Sequence, residues 1–244
     1  MKIEKYLYET HMHTEPVSAC ADATPSQQVR AYKKRGYAGI IITDHFVNGS
    51  SGCPHYLPWF QKMDFLLSGY EKAKKEGDKC GLDVFFGWEY SIDGADFLTY
   101  GLDIDFLYKN PNLEDLNLRQ YSSLIRKEGG FLAQAHPFRE GFWIKSPYPA
   151  ESYYMDAVEV FNANMPDHVN IKAYNYALLH DLPMMSGSDS HSDYTPTVGG
   201  VSLSEKAESI HDIIEAIKSN QAGLVLPAKF RERLSGPHFG HDAV

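Results

Sequence analysis

The chain has 244 residues, a formal net charge of −9 and three cysteines, Cys20, Cys53 and Cys80, at wide and irregular spacing. That acidity argues against a long nucleic-acid track, which needs clustered Lys and Arg, while leaving room for a basic pocket that holds one phosphate. The cysteines make neither a disulfide framework nor a Cys-x-x-Cys zinc site, and no stretch has the look of a secretory signal or the length of a membrane span, so a cytoplasmic protein with one barrel domain over residues 1–244 is expected.

In chain order, residues 6–10 read as a strand that ends at His11-Met12-His13. A loop with Glu15, Cys20 and Asp22 follows. Thr24-Pro25-Ser26-Gln27 is a helix start, with Thr as N-cap, Pro at the first helical position and Gln three residues after the cap. This helix should end at Arg35, before Gly36. Residues 37–43 are apolar and β-branched, a second strand that ends at Asp44-His45. Residues 46–57 hold Gly49, Gly52 and Pro54 and read as a loop over the strand ends; Pro58 opens a helix to Glu76, closed by Gly77.

Residues 82–88 form a third strand, with Glu89 directly after it, and residues 96–102 another, with Asp96 at its beginning. Asn117 caps a helix to Glu128, ended by Gly129-Gly130, and strand 131–135 leads into His136-Pro137-Phe138-Arg139. Strand 157–161 ends at Asn162, a helix covers 167–180, and strand 183–187 leads into Asp189 and His191. Strand 200–203, a helix at 209–220 and strand 223–226 follow, before a loosely held tail at 235–244. His168, His180 and His211 fall in helical stretches and His238 and His241 in the tail, so none of these is a site candidate.

About seven strand–helix alternations predict an α/β fold with a parallel sheet closed, or nearly so, as a barrel. In such barrels, chemistry sits at the C-terminal strand ends. His11, His13, His45, Glu89, His136, Asp189 and His191 all fall there. Residues i and i+2 of an extended segment point to the same side, so His11-x-His13 and Asp189-x-His191 can each aim two ligands at one point. Imidazole and carboxylate together suit Zn, Fe or Mn.

The motifs His11-x-His13, Thr43-Asp44-His45, Gly87-x-Glu89, Ala135-His136-Pro137 and Gly187-Ser188-Asp189-x-His191 resemble those of the polymerase and histidinol phosphatase (PHP) metallo-phosphoesterases, in the same order. The resemblance implies a distorted (β/α)7 barrel of the TIM-barrel kind, with two or three divalent ions (Zn, Mn or Fe) at the C-terminal strand ends. It implies one ion on His11, His13, Glu89 and Asp189, and a second on Glu89 as a bridge, His136 and Asp96. A third would lie on His45, His191 and a loop residue. For that loop residue Glu15, Cys20 and Asp22 are the candidates; Glu15 is preferred because it lies nearest His13 along the chain, and Cys20 is read as a small buried residue. Asp96 stands where many relatives have His, which would favour a harder ion.

Clustered divalent ions lower the pKa of bound water and offset charge on phosphate oxygens. The expected reaction is therefore hydrolysis of a small phosphomonoester, with no covalent nucleophile on the protein. Arg139, three residues past His136, is expected to grip phosphate, and Asp44 to support the reaction from beside His45. Asn162 and His55 are candidate pocket residues. Rival readings are a nuclease or nucleotide hydrolase of the same family, an amidohydrolase and a non-catalytic metal-binding module. The amidohydrolase reading lacks a mid-chain lysine at a strand end, and the non-catalytic reading would need a damaged ligand set.

Overall fold

The computed structural model describes residues 5–141, 144, 148–194 and 199–235. The expected tail at 235–244 thus lies outside the described residues beyond Ser235, as do His238 and His241. The elements are β1 (Tyr6–Glu9), α1 (Pro25–Lys34), β2 (Gly39–Ile42), α2 (Trp59–Cys80), β3 (Asp83–Ile92), β4 (Ala95–Tyr100), α3 (Ile104–Lys109), α4 (Leu118–Lys127), β5 (Phe131–Ala135), β6 (Ala157–Asn162), α5 (Asp167–Leu179), β7 (Met184–Gly187), β8 (Val201–Leu203), α6 (Ile210–Lys218), β9 (Gly223–Leu224) and α7 (Ala228–Leu234).

Helix starts follow their capping chemistry. Thr24 and Gln27 cap α1 reciprocally with Pro25 behind them, and Asn117 and Gln120 do the same for α4, which satisfies backbone N–H groups that a helix start leaves unpaired. The expected end of α2 at Gly77 is wrong. The helix runs on to Cys80 and stops at Gly81, whose φ of 71° is the left-handed closure that glycine permits. Gly77 serves packing instead: a Cβ there would stand 2.5 Å from the Leu82 carbonyl oxygen and 2.6 Å from a Val84 methyl.

The nine strands form one sheet in the order β7-β6-β5-β4-β3-β2-β1-β8-β9. Pairs β1–β2, β2–β3, β5–β6 and β6–β7 are parallel, as expected of strand–helix alternation. The expectation of an all-parallel barrel fails at β4, which is antiparallel to both β3 and β5. Asp93 (φ 52°) and Gly94 (φ 86°) form the hairpin tip between β3 and β4, and positive φ at both central residues is what a tight hairpin turn requires. β8 and β9 are also antiparallel to their neighbours.

Beyond its ladder with β8, β1 meets the extension of β7. Met12 and Ser190 form a parallel bridge, His13 N–H donates to Ser190 O at 2.9 Å, and Ser190 N–H donates to His11 O. This seam brings the sheet almost to closure as a barrel. One apolar cluster draws Tyr8, Ile41, Leu98, Tyr100, Ala133, Ala157 and Met185 from β1, β2, β4, β5, β6 and β7, so these strands share a filled interior. Tyr100 spans it, donating its hydroxyl to Thr10 O at 2.6 Å. Among the described residues, no helix is long and apolar enough to cross a membrane.

Candidate metal centre

Every ligand-type residue named above, Glu15 and Asp22 aside, arrives at one end of the barrel. His11 and His13 follow β1, His45 follows β2, Glu89 lies within β3, His136 follows β5, and Asp189 and His191 follow β7. Asp96 sits near the start of β4, which in a parallel strand would be the wrong end. The reversal of β4 sets Asp96 opposite Ser91 of β3 and Ala135 of β5, beside Glu89 and His136.

The side chains converge. His11 Nε2 lies 3.4 Å from both Glu89 Oε1 and Asp189 Oδ1, and His13 Nε2 lies 3.1 Å from Asp189 Oδ1. Glu89 stands between the remaining groups, with Oε1 3.3 Å from His136 Nε2 and Oε2 2.8 Å from His45 Nδ1. Three sets of donor atoms fall within 4.8 Å of one another: His11, His13 and Asp189; His11, Glu89 and His136; and His13, His45 and His191. His136 (φ 28°) and Asp189 (φ 52°) adopt left-handed backbone to reach the cluster. Such conformations cost about 1–3 kcal/mol each and persist where the surroundings enforce them.

Buried partners set which ring nitrogens face inward. His11 Nδ1 is 2.9 Å from Glu159 Oε1, an acceptor, so Nδ1 carries a proton and Nε2 turns to the cluster. Glu159 Oε2 also accepts from His136 N–H at 3.0 Å and Asn162 Nδ2 at 2.9 Å. Ser18 donates its hydroxyl to Asp44 Oδ1 at 2.7 Å, and Ser18 Oγ accepts from His13 Nδ1 and the His45 backbone N–H, each at 3.0 Å. His191 Nδ1 donates to Asp189 O at 2.8 Å. Gly187 makes room for this scaffold, since a Cβ there would stand 2.4 Å from Glu159 Oε1 and 2.6 Å from His11 Cβ.

The arrangement demands a cation. His11 Nε2 and His13 Nε2 face each other at 3.1 Å, and with both Nδ1 atoms protonated their lone pairs would oppose. Both Glu89 carboxylate oxygens, His45 Nδ1 and His136 Nε2 are buried, and although they approach one another at 2.8 and 3.3 Å, none of these contacts has hydrogen-bond geometry. Leaving such groups unsatisfied costs about 1–3 kcal/mol each, more when charged. Divalent ions held in these donor sets would answer them, so the residues fit the metals implied by the sequence motifs.

Protonation reflects the same demand. Burial would lower His11 and His45, but the carboxylates Asp189, Glu159 and Glu89 hold His11 well above the usual imidazole range, and Glu89 does so for His45. Burial, with the charges of His45 and His191, takes His13 down to about 3. Burial would raise Glu89 and Asp189, yet the neighbouring imidazoliums hold both well below the carboxylate range. Asp96 is raised by burial and by the charge of Glu89.

The cluster opens into a cleft of about 430 Å³, lined by Cys20, His45, Ser50, Glu89, Ser91, Gly94, Asp96, His136, Arg139, Asp189 and His191. No family model matches the chain, and no curated protein matches it by sequence. Solved structures match it in fold. A two-domain protein from Bacteroides vulgatus, described as containing a predicted PHP-like metal-dependent phosphoesterase, aligns with a TM-score of 0.66 at 19% identity, covering 91% of this chain and 65% of that one. The fold is that of the PHP-like phosphoesterases. This chain spans just under two thirds of the Bacteroides protein. A lesion-specific endonuclease from Pyrococcus furiosus (TM-score 0.57, 15% identity, 91% of this chain and 58% of that one) is similar in fold. So is an amidohydrolase from Chromobacterium violaceum with bound sulfate and no metal (TM-score 0.55, 15% identity, 92% and 99%).

On this PHP-like scaffold most of the expected site residues meet, and several do not. Glu15 is exposed on the loop after His13, its backbone N–H bound to Ala23 O, and no contact joins its carboxylate to the cluster among the described residues. Cys20 occupies that place: it is open to solvent, with Sγ 3.1 Å from His191 Nε2. Burial would raise its thiol, but hydrogen bonds with His191 and His45 bring it down to about 6. Asp44 is not in the cluster; its oxygens accept from Thr14 N–H, the Thr14 hydroxyl and Ser18, and it acts on His13 only through Ser18. Burial pushes it up to about 6.

Asn162 is fully buried, donating to Glu159 and to Asp189 Oδ2, and does not line the cleft. His55 is exposed in a turn outside the cleft. Arg139 does line the cleft, paired with Asp96. Two buried carboxylates escaped the sequence reading. Besides Glu159, Glu9 Oε1 accepts from the N–H groups of Thr10, His11 and Ser188 at 3.0, 3.1 and 2.8 Å, which ties the ends of β1 and β7 together. A lone acid within an otherwise apolar strand, as in Ala157-Val158-Glu159-Val160-Phe161, is the signal that marks such a residue.

Proposed function

We propose that this chain is a metal-dependent hydrolase that cleaves small phosphomonoesters at the C-terminal end of its barrel. The observation that carries the reading is the unsatisfied, buried set of Glu89, His45 and His136 beside His11, His13 and Asp189, open to a cleft of small-molecule size. Zn, Mn or Fe ions held there by His11, His13, Glu89 and Asp189, and by Glu89, His136 and Asp96, would supply Lewis-acid charge and acidify water. The chain's own residues do the rest. Glu159, Ser18 and the Asp189 carbonyl fix the rings of His11, His13 and His191 with one nitrogen turned inward.

Among the described residues lining the cleft, Arg139 is the one Lys or Arg. A planar guanidinium can pair two phosphate oxygens at once, and its Nε is buried without a partner. Its present pairing with Asp96 holds it at the mouth of the cluster. One cation suits a single phosphate group and gives no track for a long polynucleotide.

The test is metal analysis followed by a substrate panel of phosphomonoesters, phosphodiesters and amides. The expected result is metal bound to the purified chain, phosphomonoesterase activity lost on chelation, and recovery with Zn, Mn or Fe. Hydrolysis confined to diesters would favour the nuclease reading, and confined to amides the amidohydrolase reading.

A further inference from the structure

The outer part of the cluster differs chemically from the inner. Around Glu89, Asp96 and Asp189 the donors are oxygen and imidazole, whereas His13, His45 and His191 bring three imidazoles within 4.8 Å of one another, buried at His13 and partly exposed at His191. Cys20 stands beside this set, with Sγ 3.1 Å from His191 Nε2, and lines the same cleft as His45 and His191.

Its position is held by backbone on both sides. Ala19 N–H donates to Ser50 O at 2.8 Å, and Asp22 N–H donates to His191 O at 2.9 Å. The loop is thereby stitched to the neighbouring loop before Cys20 and to the ligand strand end after it. Glu15 and Asp22, the oxygen donors of the same loop, are exposed, and neither lines the cleft. His191 Nδ1 is committed to the Asp189 carbonyl, so Nε2 presents its lone pair beside the sulfur. His45 is 8% exposed and lines the same cleft as Cys20 and His191, with its Nδ1 2.8 Å from Glu89 Oε2.

We propose that Cys20 is a metal ligand, which with His45 and His191 forms a nitrogen–sulfur site for a thiophilic divalent ion such as Zn²⁺, distinct from the oxygen-rich inner site. This rests on the metal-dependent reading above and deepens it. Thiolate and imidazole together select Zn over Mg or Mn, while carboxylates suit harder ions. On a tetrahedral zinc with Zn–S of about 2.3 Å and Zn–N of about 2.0–2.1 Å, a sulfur and a nitrogen stand about 3.5 Å apart; the Cys20–His191 pair is already close to that spacing. Binding forms a metal–sulfur bond and releases the thiol proton to solvent. The same pair has the layout of a thiol nucleophile and its base, but two further imidazoles beside it are a ligand set, not an acyl- or phosphoryl-transfer site.

The experiment titrates the metal-free full-length chain with Co²⁺, following the near-ultraviolet thiolate-to-cobalt charge-transfer band while dialysis counts bound cobalt. Alkylation by iodoacetamide is mapped by mass spectrometry with and without Zn²⁺. The expected result is a charge-transfer band that Cys20→Ser abolishes, and alkylation of Cys20 slowed at least about tenfold by Zn²⁺ but not by Mg²⁺. Buried Cys53 and half-buried Cys80 serve as internal controls. Cobalt bound without the band, a band that survives in Cys20→Ser, or equal alkylation rates overturns the sulfur ligand alone. Failure of the chain to bind cobalt at all overturns this inference and the metal-dependent reading together.

Discussion

Glu159 Oε1 lies 2.9 Å from His11 Nδ1, and both residues are fully buried. The carboxylate fixes the ring's tautomer and raises the basicity of the nitrogen that faces the cluster. Glu159 touches no substrate; it is a positioning residue. Its second oxygen holds the His136 backbone, so one side chain aligns ligands from two strands. Glu159→Gln should weaken metal binding about 10–100-fold, read by calorimetric titration. A metal affinity equal to that of the unmodified chain would reduce Glu159 to a packing role.

Glu89 and Asp44 invite a contrast. Glu89→Gln keeps the shape but removes the charge between His11, His45 and His136, and metal stoichiometry should fall at more than one site. Asp44→Asn disturbs only the Thr14–Ser18 loop and, through Ser18, His13, so it should keep full stoichiometry while losing about 10–100-fold in activity. Equal and mild effects would show that Glu89 does not bridge.

Arg139→Lys should leave the fold and metal content intact and lower kcat/KM for a phosphomonoester by about one to three orders of magnitude, about 1.4–4 kcal/mol. Arg139→Ala removes the Asp96 partner as well, so metal affinity should rise or hold while kcat/KM falls. If kinetics survive Arg139→Ala, the guanidinium serves only its ion pair with Asp96.

Metal binding should release protons near neutral pH. Despite burial, carboxylate neighbours hold His11 and His45 well above the imidazole range, so a metal must displace protons there. A raised histidine stabilises the metal-free fold below its unfolded pKa, and that contribution is lost as pH rises through its folded pKa. Glu89 and Asp189, held low, contribute above their unfolded pKa and lose that as pH falls through the acid range. Metal affinity therefore climbs with pH through the histidine range. Calorimetry in buffers of different ionisation enthalpy measures the release, and a pH-independent affinity would contradict it.

What the sequence made legible was whatever depends on local spacing. His11-x-His13 and Asp189-x-His191 could be read because alternate residues share a side, and Thr24-Pro25 because a cap is a four-residue affair. What depends on tertiary contacts was not legible. Glu15 lies two residues from His13 in sequence, yet it is exposed with its backbone tied to Ala23, while Cys20, five residues further on, is carried back over His191. Asp93-Gly94 is a strong hairpin signal; without it β4 reads as one more parallel strand, with Asp96 at its beginning. Glu9 and Glu159 read as strand residues because their partners come from the opposite end of the chain.

The seam where Met12 pairs with Ser190 has a consequence for folding. His11 and Asp189 face each other across it, so an ion gripping both would close a loop containing most of the polypeptide. The native chain presents this grip assembled, while the unfolded chain holds its parts far apart along the backbone. Occupancy at a thousand times Kd would therefore add about 4 kcal/mol to the native state, comparable to a large part of an ordinary domain's stability. Chelation should lower the melting temperature as well as remove activity, and amide exchange along β1 and β7 should quicken before exchange in the β3–β4 hairpin. The barrel would then be laced shut by the same groups proposed to hold the metal.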